Sequence, residues 1–195
     1  LIFKAITMFK KKKLLVTGTA GFIGTNFTEK ALELWHEIVG IDCLNYSGIK
    51  TNVNRFKHYK NFGFKAVNIN DKKRLRKIIE KFKPHYIINF AAESHVDRSI
   101  ENPISFVESN CLGVINILEC IKELKLQKKI KLLHISTDEV YGQVDLPSKE
   151  NNKYFPNSPY SASKASADLF IRAWNKTFNV KNLILHPSNN YGPRQ

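Results

Sequence analysis

The chain predicts an α/β fold built on a doubly wound parallel sheet, and two observations carry this. Short apolar runs alternate with longer segments of helical period, and strands alternating with helices build βαβ units. A glycine-rich turn also joins the first apolar run to the first helical segment. Strands are expected at 13–17, 38–42, 64–69, 86–90, 131–136 and 182–186, and helices at 21–35, 71–82, 103–125 and 160–178. Pro84 ends the second helix and Pro103 suits the first turn of the third. The apolar positions of the third helix, from Ile104 to Leu124, cover more than one face. One face packs on the sheet; the rest is open to a second subunit or a neighbouring helix. Residues 143–159, with Pro147, Pro156 and Pro159, read as a loop.

The 195 residues, 43% hydrophobic and 11% aromatic, suit one domain with a substantial core. We assign 13–195 to that domain and 1–12 to a lead-in. The chain begins with Leu1, and Met8 is a more natural start, so 1–7 are expected to be upstream read-through. The net charge of +14 leaves nucleic-acid binding, attraction of an anionic small molecule, or a solvated lysine-rich surface open. The lysines are spread along the chain, which favours the last, and the Lys10–Lys13 run reads as solvated. No apolar run approaches a membrane-spanning length, and Leu1–Phe9 lacks the basic start of a signal peptide. Cys43, Cys111 and Cys120 show no metal spacing and read as buried thiols in a reducing, cytoplasmic compartment. No nucleic-acid, membrane or metal partner is expected.

Thr17-Gly18-Thr19-Ala20-Gly21-Phe22-Ile23-Gly24 follows the first strand and opens the first helix. Gly18 and Gly21 permit a tight turn and close approach of backbone to a pyrophosphate. Gly24 lets helix and strand pack closely, and the helix N-terminus faces the anion. Asp42, 18 residues after Gly24, ends the second strand. A carboxylate there accepts from a ribose diol and repels a 2′-phosphate, so a Rossmann-like domain taking NAD rather than NADP is expected.

Thr137-Asp138-Glu139 stands at the exit of the fifth strand, the edge where ligands gather in open α/β sheets. Tyr160 and Lys164, four apart, share a face at the start of a helix. An ammonium and a cofactor cation near a tyrosine lower its pKa toward that of a usable base.

These segments resemble the extended short-chain dehydrogenases/reductases, and within them the dTDP-glucose 4,6-dehydratases. The likeness lies in Thr17–Gly24, Phe90–Ile100 (Phe-Ala-Ala-Glu-Ser-His-Val-Asp-Arg-Ser-Ile), His134–Gly142, Ser158–Ala167 and Pro187–Pro193, in the family's order. Sugar-nucleotide 4-epimerases resemble the same scaffold but lack the Asp-Glu pair. The resemblance implies that Tyr160 takes the 4-hydroxyl proton and that Lys164 holds the tyrosine and the nicotinamide ribose. It implies that Glu139 removes the C5 proton, Asp138 protonates the departing 6-hydroxyl, and Thr137 bonds the 4-hydroxyl. It also implies backbone donors at Phe22 and Ile23, adenosine contacts at Leu44, Asn45, Asn68 and Ile69, and a cofactor lining of Phe90, Ala91, Ala92, Ser109 and Asn190. Ser94 and Asn189 would meet the sugar, and His95 reads as structural. The implied substrate is a nucleotide sugar, dTDP-glucose, and the implied assembly of the full-length enzyme is a homodimer. A UDP-sugar dehydratase, a 4-epimerase and a non-catalytic NAD-binding fragment stay open as alternatives.

Two residues depart from the family: Asn68 where Asp is usual, which removes charge assistance at the adenine, and Ser109 where Thr is usual. The family's C-terminal sugar-nucleotide domain is largely missing from these 195 residues. Remote binding energy contributes to turnover, so weak NAD binding and little or no turnover are expected of this length of chain.

Overall fold

The computed structural model describes residues 11–143 and 148–195. Met8, Pro147, Lys10 and the segments 1–7 and Leu1–Phe9 lie outside the described residues. Six parallel strands form one sheet: β1 (Lys13–Thr17), β2 (Glu37–Asp42), β3 (Phe62–Ala66), β4 (Tyr86–Asn89), β5 (Lys131–Ile135) and β6 (Asn182–Leu185). Their spatial order, β3-β2-β1-β4-β5-β6, reverses direction between β1 and β4. That reversal opens a crevice at the carboxyl ends of the two strands.

The helices are α1 (Phe22–Glu33), α2 (Lys50–Asn54), α3 (Lys72–Phe82), α4 (Val96–Glu101), α5 (Pro103–Glu123) and α6 (Pro159–Phe178). Their starts follow local chemistry. Asp71 caps α3 by accepting from the Arg74 N–H, and Asn102 caps α5 with Pro103 in its first turn. Ser158 and Ser161 form a reciprocal capping box ahead of α6, again with Pro159 in the first turn.

Side chains alternate across the sheet. Leu15, Ile41, Ile87 and Leu132 pack with Leu75, Ile79, Ile117, Leu118, Ile121 and Ile171 from α3, α5 and α6. Leu14, Val16, Ile38 and Ile88 face the other way, against Ala31, Leu32 and Phe56. That second face is covered unevenly. Register aligns Val16, Ile88, Leu133 and Leu183 in one row. Val16 is fully buried, whereas Leu183 at the sheet edge is 59% exposed.

Several expectations are corrected. β3 starts at Phe62 and ends at Ala66, short of Val67 and Ile69. Those two are buried in the segment after the strand, so their alternation imitates strand while the ladder has already ended. The third helix is interrupted: residues Val107–Leu112 adopt a π-helical turn inside α5. α2, α4 and a short 3₁₀ turn at Asp138–Tyr141 were not expected. α5 is also long and apolar enough, by length and composition alone, to cross a membrane, which the sequence reading did not expect. Val114, Ile117, Leu118 and Ile121 are wholly buried within the domain, as in a core helix. Cys111 and Cys120 are buried as expected, but Cys43 is exposed. It follows Asp42 at the mouth of the crevice, where the chain leaves the sheet. Lys13 opens β1 as expected and lies 3.8 Å from Glu37.

Candidate functional site

The loop from β1 to α1 meets the crevice with its backbone. Gly18 has φ of +68°, and a Cβ there would lie 2.6 Å from Ala91 N. A Cβ on Gly24 would lie 2.0 Å from Gly18 O, so this glycine lets α1 close on the loop. Gly21 differs: a Cβ there would meet nothing nearer than 3.4 Å. Gly21 is also the α1 N-cap, with no side-chain cap and no acid in the first turn. Free N–H groups therefore begin α1 beside open space, as an anion site requires.

A cleft of about 360 Å³ starts from this loop and runs over β1, β2 and β4. Gly18, Gly21, Asp42, Asn45, Asn68 and Ile69 line it on one side, and Phe90, Ala91, Ala92 and Ser109 on the other. Asp42 is buried and accepts from Ala20 N at 2.9 Å and Leu44 N at 2.8 Å. Burial raises its pKa, and those two donors pull it back. Asn45 reaches across to Glu93 at 2.8 Å, joining the loops after β2 and β4. The Asn68 carbonyl accepts from Asn70 N at 2.9 Å.

A second cleft of about 490 Å³ shares Gly18, Gly21, Phe90 and Ala92 with the first. Phe22, Ile23, Gly24, Ser94, His95, Tyr160 and Lys164 complete much of its wall. Thus most of the residues singled out in the sequence line one continuous depression. Thr137, Asp138, Glu139, Leu44, Asn189 and Asn190 are in neither lining, although Ser136, next to Thr137, is in the second. Leu44 instead holds Asp42 through its N–H, and Asn189 and Asn190 are exposed.

Thr137 caps the 3₁₀ turn that carries Asp138 and Glu139, accepting from Glu139 N at 3.2 Å. Its hydroxyl also lies 3.4 Å from Asp138 Oδ1, to which it donates. Burial first, and then the Asp138 charge, raises the Glu139 carboxyl above its ordinary range. Tyr160 is pushed up by burial, pulled down by Thr137, and pushed up again by Glu139 and Asp138. Lys164 is not among the groups behind this shift, and its ammonium faces the backbone. Lys164 Nζ donates to Ile135 O at 2.5 Å. Burial brings Lys164 down to about 8, with Asp168 opposing the fall.

Sequence reasoning missed two residues here. Asn110 sits in the π turn of α5, buried, and accepts from Glu93 N at 2.9 Å. It donates to Glu93 O at 2.9 Å and to Ser163 Oγ at 2.8 Å, tying the cleft loop to the turn between Tyr160 and Lys164. The helical distortion that aims it leaves no pattern in an apolar run, although such bulges often mark functional sites. Arg194 reaches α1, at 2.6 Å from both Asn26 and Glu29, and lines the second cleft.

A reversing parallel sheet, a glycine loop opening an uncapped helix, and a tyrosine and lysine one turn apart define a dinucleotide-binding α/β domain of the short-chain dehydrogenase type. The model for the family described as GDP-mannose 4,6 dehydratase matches residues 15–195, and the chain belongs to that family. It is 39% identical over 187 residues to the dTDP-glucose 4,6-dehydratase of Xanthomonas campestris, covering 92% of this chain and 53% of that one. It is 37% identical to dTDP-glucose 4,6-dehydratase 1 of Escherichia coli, covering 93% and 55%. The dTDP-glucose 4,6-dehydratase DesIV of Streptomyces venezuelae, solved with NAD, superposes with a TM-score of 0.88 at 38% identity, over 94% of this chain and 57% of that one. The UDP-glucose 4-epimerase of Thermotoga maritima gives 0.85 at 30% identity, over 94% and 57%. The chain spans about half the length of the curated relatives it matches.

Proposed function

We propose that this chain carries the cofactor-binding and proton-transfer half of an NAD-dependent nucleotide-sugar 4,6-dehydratase, a hydro-lyase whose substrate is dTDP-glucose. The observation that carries the reading is the Asp138–Glu139 pair, seated in a turn that Thr137 caps by accepting from Glu139 N, and close enough to Tyr160 for both charges to raise its pKa. An oxidoreductase that only moves hydride needs the tyrosine and lysine; a dehydratase also needs an acid and a base for elimination.

The open backbone at Gly21 and the uncapped start of α1 fit a dinucleotide pyrophosphate, with Phe22 and Ile23 as donors. Asp42 suits the adenosine ribose, and its charge disfavours a 2′-phosphate. NAD held there would supply the hydride acceptor for C4 and the hydride donor for C6. Tyr160 takes the 4-hydroxyl proton, aided by Thr137, and Lys164 supports the tyrosine and the nicotinamide ribose. The resulting 4-ketone acidifies the C5 proton. Glu139 removes it, and its raised pKa makes it a stronger base than an ordinary carboxylate. Asp138 protonates the departing 6-hydroxyl, which leaves as water, and Glu139 gives its proton back to C5 once C6 has received hydride. Ser94 and Asn189 are assigned to the sugar and Asn190 to the cofactor.

The further length of the relatives is assigned to the nucleotide grip. A homodimer is proposed for the longer protein. Its support is the exposed Ile100, Ile104, Val107 and Leu169 on α4, α5 and α6, which pack on one another. The free thiols of Cys43, Cys111 and Cys120 support a cytoplasmic setting.

The test uses a chain extended to the relatives' length, incubated with dTDP-glucose or UDP-glucose, with water loss read by mass spectrometry. Asp138→Asn with Glu139→Gln should stop elimination while NAD stays bound. Dehydration that survives both changes would remove the assigned roles. Interconversion at C4 without water loss would favour the epimerase reading that the Thermotoga maritima likeness raises.

A further inference from the structure

Asp168 takes no part in the chemistry above, yet it lies one turn beyond Lys164 on α6 and is fully buried. A buried carboxylate is costly unless it is paired and hydrogen-bonded. Its Oδ2 accepts from Ser136 Oγ at 2.7 Å. The same atom lies 3.1 Å from His186 Nε2 and 3.3 Å from the Tyr154 hydroxyl. Tyr154 and His186 are themselves 3.0 Å apart, and His186 Nδ1 is 3.4 Å from the Tyr141 hydroxyl. Its Oδ1 has no hydrogen-bond partner among the described residues, and neither does His134 Nε2, 3.8 Å away.

The tautomer of His134 follows from its neighbours. The Thr17 hydroxyl donates to Asn89 Oδ1 at 2.5 Å, and Asn89 Nδ2 faces His134 Nδ1 at 3.0 Å. An amide nitrogen only donates, so Nδ1 accepts and Nε2 carries the proton toward Asp168. Burial, with Lys164 and His186 nearby, holds His134 neutral. Thr17, Asn89 and His134 are register partners on β1, β4 and β5. A polar row therefore crosses the carboxyl ends of the three central strands and terminates on Asp168. At its far end Thr17 accepts from Ala91 N at 3.2 Å, at the cofactor cleft.

Each segment that touches Asp168 delivers a group of the proposed chemistry. Ser136 precedes Thr137. Tyr141 closes the turn of Asp138 and Glu139. His186 precedes the 187–190 segment, and Tyr154 belongs to the stretch leading into α6. The charged and titratable groups around this network are Lys164 and Arg172 on α6, His134 on β5, His186 after β6, and Tyr141, Glu150 and Tyr154 on the intervening stretch.

We propose that Asp168 is the positioning residue of this site, the common acceptor that holds the Lys164 turn of α6, the Ser136–Tyr141 turn and the exit of β6 in one arrangement. Its purpose rests on the reading of Tyr160 and Lys164 as the proton-handling pair. The test uses the 195-residue chain with carbon-13 at lysine Cε and aspartate Cγ, without NAD or sugar. Lys164 should titrate near 8, and the Asp168 Cγ resonance should show a step at the same pH. Asp168→Asn should move the Lys164 midpoint down by about one pH unit, a tenfold change in proton affinity, and Asp168→Glu should bring it back toward the wild-type value. A folded Asp168→Asn variant with an unmoved Lys164 midpoint would overturn the proposal. If that variant does not fold, the unsubstituted chain decides: no step at Asp168 while Lys164 titrates is equally fatal. Failure of a chain extended to the relatives' length to bind NAD, with an intact Asp168–Lys164 coupling, would sink the dehydratase reading instead, so the two failures are distinguishable.

Discussion

Gly24→Ala and Gly21→Ala separate what the glycine loop does for the fold from what it does for a ligand. At Gly24 the new Cβ would lie 2.0 Å from Gly18 O and 2.8 Å from Gly18 C, both backbone atoms. Neither can turn aside as a side chain would. Relief requires α1 to slide off β1, which also disturbs Ala31 and Leu32 in the core under it. Overpacking costs about 1–3 kcal/mol, and a clash with immobile backbone belongs at the upper end. About 3 kcal/mol is a factor of roughly 150 in the unfolding equilibrium. At Gly21 the backbone sits at φ −77°, ordinary for alanine, and the nearest atom to the new Cβ is 3.4 Å away. Stability should therefore change by no more than about 0.5 kcal/mol. The methyl, however, occupies the space into which the first N–H groups of α1 point, so NAD affinity should fall by about tenfold, near 1.4 kcal/mol. Denaturant unfolding measures the first effect and titration calorimetry with NAD the second. Equal loss of stability in both variants, or unaltered NAD binding by Gly21→Ala, would refute the reasoning.

Two further outcomes follow from buried polar groups. Lys164 falls to about 8 in the folded chain against an ordinary 10.5, so the unfolded chain binds the extra proton between those values. The cost of the buried charge, about 3 kcal/mol, is fully present below pH 8 and is relieved as pH rises toward 10.5. The stability of the unsubstituted chain relative to Lys164→Met should climb across that window and be flat below it; a flat difference throughout would contradict the burial argument. Asn110→Ala should cost about 2 kcal/mol in denaturant unfolding, because Glu93 loses partners at both its N–H and its carbonyl. It should also weaken NAD binding; a variant as stable as the unsubstituted chain would mean the π turn is not held by that side chain.

The sequence showed the sheet well because its apolar runs are short, buried and bounded by turn residues. β1, β4, β5 and β6 begin where the runs begin. β3 was misplaced because burial and strand pairing part company there. Val67 N still bonds Asp42 O at 2.9 Å, which holds Val67 against the core after the regular ladder has closed at Ala66. The glycine loop, Asp42, Tyr160 and Lys164 were legible because each needs a particular residue type at a fixed distance from a strand end. The adjacency of Asp138 and Glu139 was legible too, but the capped 3₁₀ turn that aims them was not, since Thr137 caps it through a local hydrogen bond.

The other residues that stayed hidden share one physical cause: they act through contacts between residues far apart in the chain. Asn110 meets Glu93 and Ser163, Arg194 meets α1, and Asp168 gathers Ser136, Tyr154 and His186. None of these has a spacing to find, because each partner arrives on a different element. They share a consequence. The groups assigned to chemistry sit on the turn after β5 and on α6, and these segments are tied by buried polar side chains as well as by apolar packing. Apolar contacts alone would leave such segments free to settle in several neighbouring arrangements, whereas a buried hydrogen bond is costly to leave unmade. The directional bonds of Asn110 and Asp168 therefore select one arrangement of Tyr160, Lys164, Asp138 and Glu139 out of the several that the core would tolerate.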